Sequence, residues 1–311
     1  MAAARGDDRR RRGRRRRRAD AARPRRRRRR GAPLSRVRVA TLNLASGRSG
    51  PGHLPADRLA AALTGLDVDV LAVQEVDVAQ DRSHGVDQAA VAAAALGAAH
   101  WRFAPTLAGT PGPLRGWHRV LPDADLPAGR PGYGIAVLSR LPVRQWQVEH
   151  LGHGRGRLPV RAPDPRTGEP RTWWVPDEPR TALAAVLDEL TLVSTHLSFS
   201  PATAVRQLAR LRRWCATLPG PVVVAGDLNL PGPVVERVLR GRRLATGASY
   251  PAHDPRVQLD HLVGPVGGSA SLPGAGGPEA LQVSGTVVRR LDVGDHRLVA
   301  ATLDLPGGGV R

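Results

Sequence analysis

The chain has 311 residues, a length that suits one large domain or two smaller ones. It contains no lysine, so arginine supplies all 47 basic side chains, and the formal net charge is +20. The lack of lysine excludes a Walker-type phosphate loop and Schiff-base chemistry. The single cysteine, Cys215, excludes internal disulfides, zinc ribbons and iron–sulfur clusters. No apolar run approaches the ~18 residues of a membrane helix and no secretory signal is recognisable, so we expect a cytoplasmic protein.

Residues 1–33 form a low-complexity segment of arginine, alanine and glycine. Residues 1–30 alone hold 17 arginines and 3 aspartates, a charge of +14, whereas the other 281 residues carry only +6. So few apolar side chains cannot offset the entropy lost on ordering, and we predict that residues 1–33 are disordered. The segment is either an arm that binds polyanions or an extension without a function. We predict one structured domain over residues 34–311.

Hydrophobic patterning predicts strands that alternate with helices after this segment. An alternating run at 37–43 indicates the first strand, and leucines at helical spacing indicate a helix at 56–66. A nearly continuous apolar run at 68–73 indicates a strand buried on both faces, and an alanine-rich helix follows at 87–97. The stretch at 105–132 is rich in proline and glycine and has no clear period, so we predict a long loop there.

The middle of the chain repeats this organisation. A strand is predicted at 133–139, before a second long loop at 150–179 that is rich in proline, glycine and arginine. Strands at 180–187 and 190–197 are joined by a tight connection, which favours a β-hairpin. A helix at 201–218 begins with serine as N-cap, has proline at its first position, and stops before Pro-Gly.

The last third of the chain continues the alternation of strands and helices. Cys215 belongs to the apolar face of the preceding helix, which indicates a core residue rather than a nucleophile. A buried strand is predicted at 222–225, with a short helix opened by Pro231. The final predicted strands lie near 257–263, 284–290 and 297–304. Because no composition break divides this part of the chain, the pattern predicts one α/β domain.

Several of the apolar runs end in a side chain that can bind a metal ion or transfer a proton. Asn43 ends the first strand, Glu75 follows the second apolar run, and His196 follows the run at 192–195. The other residues of this kind lie at the ends of later runs: Asp227, Asn229, Asp260, Asp295 and His296. Each ending alone fits an ordinary turn, but six such endings in one chain make coincidence a poor explanation.

Polar groups at the ends of strands in an α/β sheet meet at one edge, where ligands bind. Carboxylate, amide and imidazole groups offer only oxygen and nitrogen donors, a set that favours hard divalent cations. The sequence therefore predicts a site for Mg²⁺ or Mn²⁺, built from side chains that are far apart along the chain.

The order and spelling of these motifs resemble the endonuclease/exonuclease/phosphatase superfamily, which includes deoxyribonuclease I, abasic-site endonucleases, neutral sphingomyelinases and inositol-phosphate 5-phosphatases. The resemblance covers residues 36–305 and implies a four-layered α/β sandwich of two packed β-sheets flanked by helices. Gly294 stands where the family usually has serine, and Arg180 resembles the family's arginine before a strand. The motifs that carry the resemblance are Thr41-Leu42-Asn43, Gln74-Glu75, Ser194-Thr195-His196-Leu197, Gly226-Asp227-Leu228-Asn229, Leu259-Asp260-His261 and Gly294-Asp295-His296.

The resemblance also implies a role for each residue at the predicted metal centre. It implies that Glu75 is the principal metal ligand and that Asn43 and Asp295 support it. It further implies that His296 lies beside the phosphate while Asp260 accepts the other ring N–H. Such a pairing would fix the tautomer of the imidazole and raise its pKa.

The remaining implied roles concern the attacking water and the phosphate. Asp227 is expected to activate the water, with Asn229 orienting it and donating to the phosphate. His196 is expected to donate a hydrogen bond to a phosphate oxygen in the transition state. Both Asp227 and His296 suit the role of general base, and the sequence leaves that choice open.

These roles imply a divalent-metal-dependent phosphoesterase that hydrolyses a phosphodiester by in-line attack of an activated water. We expect a nucleic-acid substrate, DNA or RNA, and a monomeric enzyme whose arginine-rich segment attracts polyanions through counterion release. One alternative is a phospholipid or inositol-phosphate headgroup phosphoesterase, similar to a sphingomyelinase. The other is a non-catalytic module that binds polyanions.

A few residues near the motifs receive structural interpretations. Trp173 and Trp174 can stack against a base, but such a pair more often packs within a loop. The loops predicted at 105–132 and 150–179 are expected to overhang the site and select the substrate. Surface or rim positions are expected for three histidines: His84, His253 and His261.

Overall fold

The computed structural model describes residues 34–49, 52–111, 116–120, 126, 129–164, 167–266 and 281–306. The predicted disordered segment at 1–33 lies outside the described residues. Among the helices of the described ranges, none combines the length and the apolar character needed to cross a bilayer.

Short strands make up most of the regular structure, with four α-helices between them in the described ranges. The strands begin with β1 (Leu34–Asn43), β2 (Arg48–Ser49), β3 (Gly52–His53), β4 (Val70–Val78), β5 (His100–Thr110), β6 (Gly116–Arg119), β7 (Gly132–Ser139), β8 (Gln145–Gly152) and β9 (Arg157–Pro163). They continue with β10 (Pro170–Pro176), β11 (Arg180–Val186), β12 (Thr191–His196), β13 (Val222–Asp227), β14 (Arg242–Arg243), β15 (Asp260–Gly264), β16 (Gln282–Arg289) and β17 (Leu298–Pro306). The helices are α1 (Ala56–Leu63), α2 (Gln88–Leu96), α3 (Pro201–Cys215) and α4 (Gly232–Leu239).

The first large sheet has seven strands in the order β16-β17-β1-β4-β7-β5-β6. Its central strands β1 and β4 run parallel, with Asn43 opposite Gln74, and the other neighbours are antiparallel. The first five residues of β4 are all buried, which fits a strand covered on both faces. The ends of β1 and β4 therefore bring their polar residues to one edge of the sheet.

The second large sheet has six strands in the order β14-β15-β13-β12-β11-β8. β11 and β12 form the predicted antiparallel hairpin, and β12 runs parallel to β13. This register sets His196 beside Asp227, while the antiparallel pairing of β13 with β15 sets Asp227 beside Asp260. Three of the predicted site residues are thus neighbours across adjacent strands.

The two sheets pack face to face, and helices cover their outer faces. The core between the sheets contains residues of both, including Val39, Val137, Leu183, Val223 and Leu303. Helices α1 and α2 pack on the first sheet through Leu59, Leu63 and Leu96, and α3 and α4 pack on the second through Leu208, Leu211 and Val235. This arrangement of layers confirms the predicted α/β sandwich.

The two stretches predicted as long loops contain strands, so that prediction was wrong in part. The stretch at 105–132 contains the end of β5 and all of β6, and the stretch at 150–179 contains the end of β8, β9 and β10. β6 and β8 lie at sheet edges, and β9 pairs only with β10. Strands at sheet edges and in isolated hairpins tolerate proline, so stretches that are rich in proline and glycine were read as loop.

Two further expectations need correction. Helix α3 ends at Cys215 rather than near 218, and its N-cap Ser200 makes no side-chain capping hydrogen bond. The rim position expected for His261 was wrong, because the side chain is fully buried and its Nε2 lies 3.0 Å from the carbonyl oxygen of Leu230. As the second residue of β15, His261 alternates with Asp260 and so points away from the side on which Asp260 lies.

Cys215 provides a test of the core under α3. Its side chain is fully buried, and burial raises the pKa of the thiol to about 12. Since it is the thiolate that attacks the disulfide of dithionitrobenzoate, we expect no reaction in native protein and one reactive thiol per chain in denaturant. The measurement is the absorbance change of the dithionitrobenzoate reaction, with and without denaturant. Rapid labelling of the native protein would contradict this packing of α3.

Candidate active site

The left-handed backbone of Glu75 marks the end of the first sheet at which the site forms. Asn43 is the last residue of β1, and Glu75 lies in β4 where the pairing with β7 is irregular between Val73 and Val76. Glu75 has a φ of 52° and Asn229 a φ of 50°, values that non-glycine residues rarely adopt. Such backbone strain costs about 1–3 kcal/mol per residue and is concentrated at functional sites.

On the second sheet, a glycine allows β12 and β13 to approach closely at the site. A Cβ atom at Gly226 would lie 1.9 Å from the carbonyl oxygen of Thr195, so no side chain fits there. The next residue in each strand, His196 in β12 and Asp227 in β13, then face each other with Nε2 and Oδ2 3.7 Å apart. Gly226 thus places the acid and the imidazole side by side.

Asn43 connects the two sheets at this end. Its side-chain Nδ2 donates hydrogen bonds to Oε1 of Glu75 at 2.9 Å and to Oδ2 of Asp227 at 3.1 Å. Its Oδ1 accepts the backbone N–H of Ala45 at 2.9 Å. One buried amide therefore holds two carboxylates that belong to different sheets.

His296 lies in the loop before β17 and contacts three acidic side chains. Its Nδ1 is 2.8 Å from Oδ2 of Asp260, and its Nε2 is 3.7 Å from Oδ2 of Asp227 and 3.9 Å from Oδ1 of Asp295. Burial alone would lower the pKa of His296, but the three carboxylates outweigh burial and raise it to about 10. The imidazole is therefore protonated at neutral pH, with Asp260 holding the Nδ1 proton.

The ring of Tyr250 packs beside His296, with the two ring centroids 4.8 Å apart. This contact limits rotation of the imidazole together with the hydrogen bond to Asp260. Asp260 itself is fully buried, and among the described residues its second oxygen, Oδ1, has no hydrogen-bond partner. Asp260 is therefore placed to hold the imidazole ring of His296.

Asp227 lies at the centre of the contacts. Burial and the nearby Asp260 carboxylate raise the pKa of Asp227 to about 7, against the opposing effects of His296 and Asn43. Its Oδ1 accepts the backbone N–H of Asn229 at 3.0 Å. This environment lets Asp227 change its protonation state near neutral pH, as a general base must.

His196 and Asn229 lie on the other side of Asp227. The side-chain Nδ2 of Asn229 donates to the carbonyl oxygen of Leu197 at 3.0 Å and is 3.3 Å from Nε2 of His196. Burial, Arg180 and His296 together hold the pKa of His196 well below its usual value. His196 is therefore neutral at pH 7, in contrast to His296.

A cleft of about 290 Å³ opens beside Glu75. Arg48 lines this cleft and pairs with Asp295, with Nη2 and Oδ2 3.4 Å apart. Glu75 lines the cleft, and Asp295 is linked to it through Arg48. They fit a hard divalent cation, because they are oxygen donors that retain partial exposure to solvent.

The other candidate ligands already make contacts within the protein. Asp227, Asp260 and His296 offer ligand atoms within 4.8 Å of one another, and two of these groups are paired with each other, with Oδ2 of Asp260 2.8 Å from Nδ1 of His296. The Nδ2 of Asn43 donates to Glu75 and its Oδ1 accepts a backbone hydrogen bond, so this amide holds the Glu75 carboxylate in position.

The cleft also contains residues that the sequence analysis missed. Tyr133 is the second residue of β7, and Glu178 precedes β11; both line the cleft with Arg82. Burial raises the pKa of Glu178, whose Oε2 is 3.5 Å from Nη2 of the buried Arg180. Glu178 lies only two residues before Arg180, so the motif-like arginine was the available signal for this pair.

The chain is similar to a known protein family in sequence and to solved structures in fold. The model of the endonuclease/exonuclease/phosphatase family matches residues 40–296, a range that includes all eight predicted site residues. Among curated proteins, no sequence matches the chain. An endonuclease/exonuclease/phosphatase from Beutenbergia cavernae has a similar fold, with a TM-score of 0.56 and 20% sequence identity; the match covers 89% of this chain and 73% of that chain.

Two further solved structures are similar over most of their length. A family protein from Bacteroides thetaiotaomicron has a TM-score of 0.53 at 12% identity and covers 88% of this chain and 97% of that chain. A family protein from Leptotrichia buccalis has a TM-score of 0.52 at 13% identity and covers 86% of this chain and 99% of that chain. At these sequence identities, the similarity to solved structures shows the fold alone. The family model, however, matches most of the chain. The chain therefore belongs to the endonuclease/exonuclease/phosphatase family, which includes metal-dependent nucleases and other phosphoesterases.

Proposed function

We propose that this protein is a phosphodiesterase that hydrolyses nucleic acid with the help of Mg²⁺ or Mn²⁺. One observation carries the proposal: an unbroken series of contacts joins Glu75, Asn43, Asp227, His296 and Asp260 across both sheets. The series combines a metal-binding carboxylate, a carboxylate of raised pKa and a protonated imidazole. These are the groups that in-line attack of water on a phosphodiester requires.

In this proposal His296 stabilises charge on the phosphate. The protonated ring donates from Nε2, because Asp260 accepts the Nδ1–H and prevents rotation of the ring. His196 remains neutral and carries one ring N–H, and Asn229 carries an amide next to it. Both are donors toward a non-bridging oxygen as negative charge accumulates there.

Asp227 is the proposed general base. Its Oδ2 lies 3.7 Å from the Nε2 atoms of His196 and of His296, so a water bound next to it is also next to the phosphate donors. His296 already holds its proton at neutral pH and cannot accept another. The geometry therefore favours Asp227 over His296 for accepting the proton of the attacking water.

Glu75 and Asp295 are the proposed metal-binding carboxylates, with Asn43 holding Glu75 in place. A bound divalent cation supplies positive charge that polarises the phosphate and favours loss of the leaving oxygen. The partial exposure of both carboxylates leaves room for water and for the substrate.

Replacement of Glu75 by glutamine tests the metal assignment. Mutation of a group that hydrogen-bonds to a metal ligand lowers metal affinity by roughly 10- to 100-fold. Because Glu75 is proposed to bind the metal directly, we expect the Mg²⁺ concentration for half-maximal activity to rise by at least this factor. The same variant should bind Mn²⁺ more weakly in a calorimetric titration without substrate. Glu149→Gln is the matched control. Glu149 lies on β8, the edge strand of the second sheet, and pairs with Arg210 of α3. An unchanged titration in Glu75→Gln would show that the metal ion is held elsewhere.

A substrate panel tests the reaction itself. Wild type and His296→Ala would be incubated with Mg²⁺ or Mn²⁺ and plasmid DNA, abasic duplex, RNA, sphingomyelin or inositol phosphates. Hydrolysis of a nucleic acid that the variant lacks supports the proposal. Hydrolysis of sphingomyelin or inositol phosphates alone would overturn the nucleic-acid assignment. Binding of polyanions without any turnover would overturn the assignment as an enzyme.

A further inference from the structure

The β9–β10 hairpin exposes a tryptophan between two arginines on one of its faces. Residues directly opposite each other in an antiparallel pair share a face, and side chains alternate between faces along each strand. Trp174 is opposite Pro159, and Arg161 is opposite Thr172. Arg157 lies two residues before Pro159 on the same strand and therefore on the same face. We call this face, with Arg157, Arg161 and Trp174, the arginine–tryptophan face.

The arginine–tryptophan face is the solvent side of the hairpin. Trp174 is 60% exposed, and Arg157 and Arg161 are also exposed. The opposite face carries half-buried apolar residues: Leu158, Val160, Trp173 and Val175. Within the described part of the hairpin, no carboxylate lies on the arginine–tryptophan face. Arg157 and Trp174 are neighbours on this face, because Arg157 donates a hydrogen bond to the backbone carbonyl oxygen of Trp174.

The base of the hairpin is tied to the active site through Asp177. Its carboxylate accepts the backbone N–H of Gly154 at 2.9 Å and the hydroxyl of Ser198 at 2.8 Å. Ser198 follows His196 by two residues, and Glu178, next to Asp177, lines the cleft. The hairpin therefore begins at the rim of the site and extends over roughly 23 Å, as seven-residue strands do.

We propose that the arginine–tryptophan face binds an unpaired stretch of the nucleic-acid substrate next to the active site. Trp174 stacks on a base, while Arg157 and Arg161 contact phosphates, the combination by which proteins hold single strands. This inference rests on the proposed nuclease function and specifies its substrate as one that contains unpaired nucleotides. It gives the hairpin a role outside the catalytic chemistry.

The distribution of side chains favours a nucleic acid over a lipid surface. A hairpin that inserts into a membrane needs apolar residues at its turn, where they reach the lipid. The described residues of this turn are polar or glycine: Asp164, Thr167, Gly168 and Glu169. Trp174 instead lies toward the base of the hairpin, between guanidinium groups.

Replacement of Trp174 by alanine tests the stacking contact. We expect the Kd for a fluorescein-labelled 20-nucleotide single strand, measured by anisotropy with the full chain, to rise about 5- to 100-fold. Trp174→Phe should retain most of the affinity. Trp101→Ala is the matched control, since Trp101 is 39% exposed and pairs with Leu138 at the end of β7 remote from Tyr133. Equal losses in the two alanine variants, or no loss in Trp174→Ala, would overturn the proposal.

A double variant, Arg157→Ala with Arg161→Ala, tests the phosphate contacts. The slope of log Kd against log salt should fall by about 1.4, since each phosphate contact to a single strand contributes about 0.7. The control Arg102→Ala with Arg213→Ala removes two exposed arginines outside the hairpin and should leave the slope close to that of wild type. The arginine-rich segment is common to all variants, so its contribution cancels in each comparison. An unchanged slope in the hairpin double variant would contradict the proposed phosphate contacts.

A small substrate separates this inference from the proposed function. Bis(p-nitrophenyl) phosphate reaches the active site without the hairpin, so Trp174→Ala should hydrolyse it at the wild-type rate. If Trp174→Ala hydrolyses this ester and binds the oligonucleotide as tightly as wild type, the proposed role of the hairpin is rejected and the proposed phosphodiesterase function is retained. Failure of wild type to hydrolyse any phosphodiester would reject the function. Loss of binding to phosphatidylserine vesicles but not to oligonucleotide would assign the face to membranes and overturn the inference.

Discussion

Replacement of His296 by alanine is expected to lower kcat on the nucleic-acid substrate by about 10²- to 10⁴-fold. The variant loses the protonated Nε2 donor that the carboxylates of Asp260, Asp227 and Asp295 keep charged at neutral pH. It also leaves Asp260, which is fully buried, without its partner at 2.8 Å. The measurement is steady-state turnover at saturating metal, together with a thermal unfolding curve.

Two further variants separate chemistry from folding in this experiment. His296→Gln keeps an amide N–H for Asp260 and should restore stability without restoring kcat. His253→Ala removes an exposed histidine in the loop between β14 and β15 and should leave both kcat and the unfolding temperature unchanged. Near-normal turnover of His296→Ala on the true substrate would discredit the role of this residue.

Replacement of Asp227 by asparagine is expected to lower kcat by a similar factor, about 10²- to 10⁴-fold. An amide has nearly the shape of the carboxylate and keeps an oxygen for the backbone N–H of Asn229, now 3.0 Å from Oδ1. It cannot accept a proton from water. Single-turnover rates with enzyme in excess measure this step without the contribution of product release.

The matched control for Asp227→Asn is Asp254→Asn, because Asp254 is exposed and pairs with Arg256 near the same face of the protein. This control should retain full activity. The metal concentration required by Asp227→Asn should stay close to that of wild type, since Glu75 and Asp295 are the proposed metal-binding carboxylates. A large shift in that concentration, with unchanged kcat at saturating metal, would instead make Asp227 a metal ligand.

The central strands were predictable because burial on both faces leaves a strong signal in the sequence. The apolar runs before Asn43, Glu75, His196 and Asp227 correspond to β1, β4, β12 and β13, whose ends meet at one edge of the sandwich. Since parallel neighbours end on the same side, polar residues at those ends lie together in space. Local pattern and position in the fold therefore agree for these residues.

The edge strands and the rest of the cleft were not predictable by the same route. In the described part of the chain β9 and β10 pair only with each other, and the prolines and arginines in both strands conceal the apolar pattern that identified the central strands. Tyr133 reaches the cleft from β7, where no local motif marks it, and Glu178 reaches it from the loop before β11, where the nearby Arg180 is the only sequence signal. The expected position of His261 was wrong for a different reason. Its polar side chain and its place in a motif suggested the surface or rim, but the side chain is fully buried.

The division of the active site between the two sheets has a consequence for inactivation. Glu75 and Asn43 belong to the first sheet, whereas Asp227 and His196 belong to the second. A slide of one layer over the other by ~1 Å would break no interstrand ladder, yet displacements of this size cost about 100-fold in rate. During a urea titration, turnover should therefore be lost at a lower urea concentration than the circular dichroism signal of the folded strands and helices. The difference between the two midpoint concentrations would measure how strongly the two sheets pack against each other.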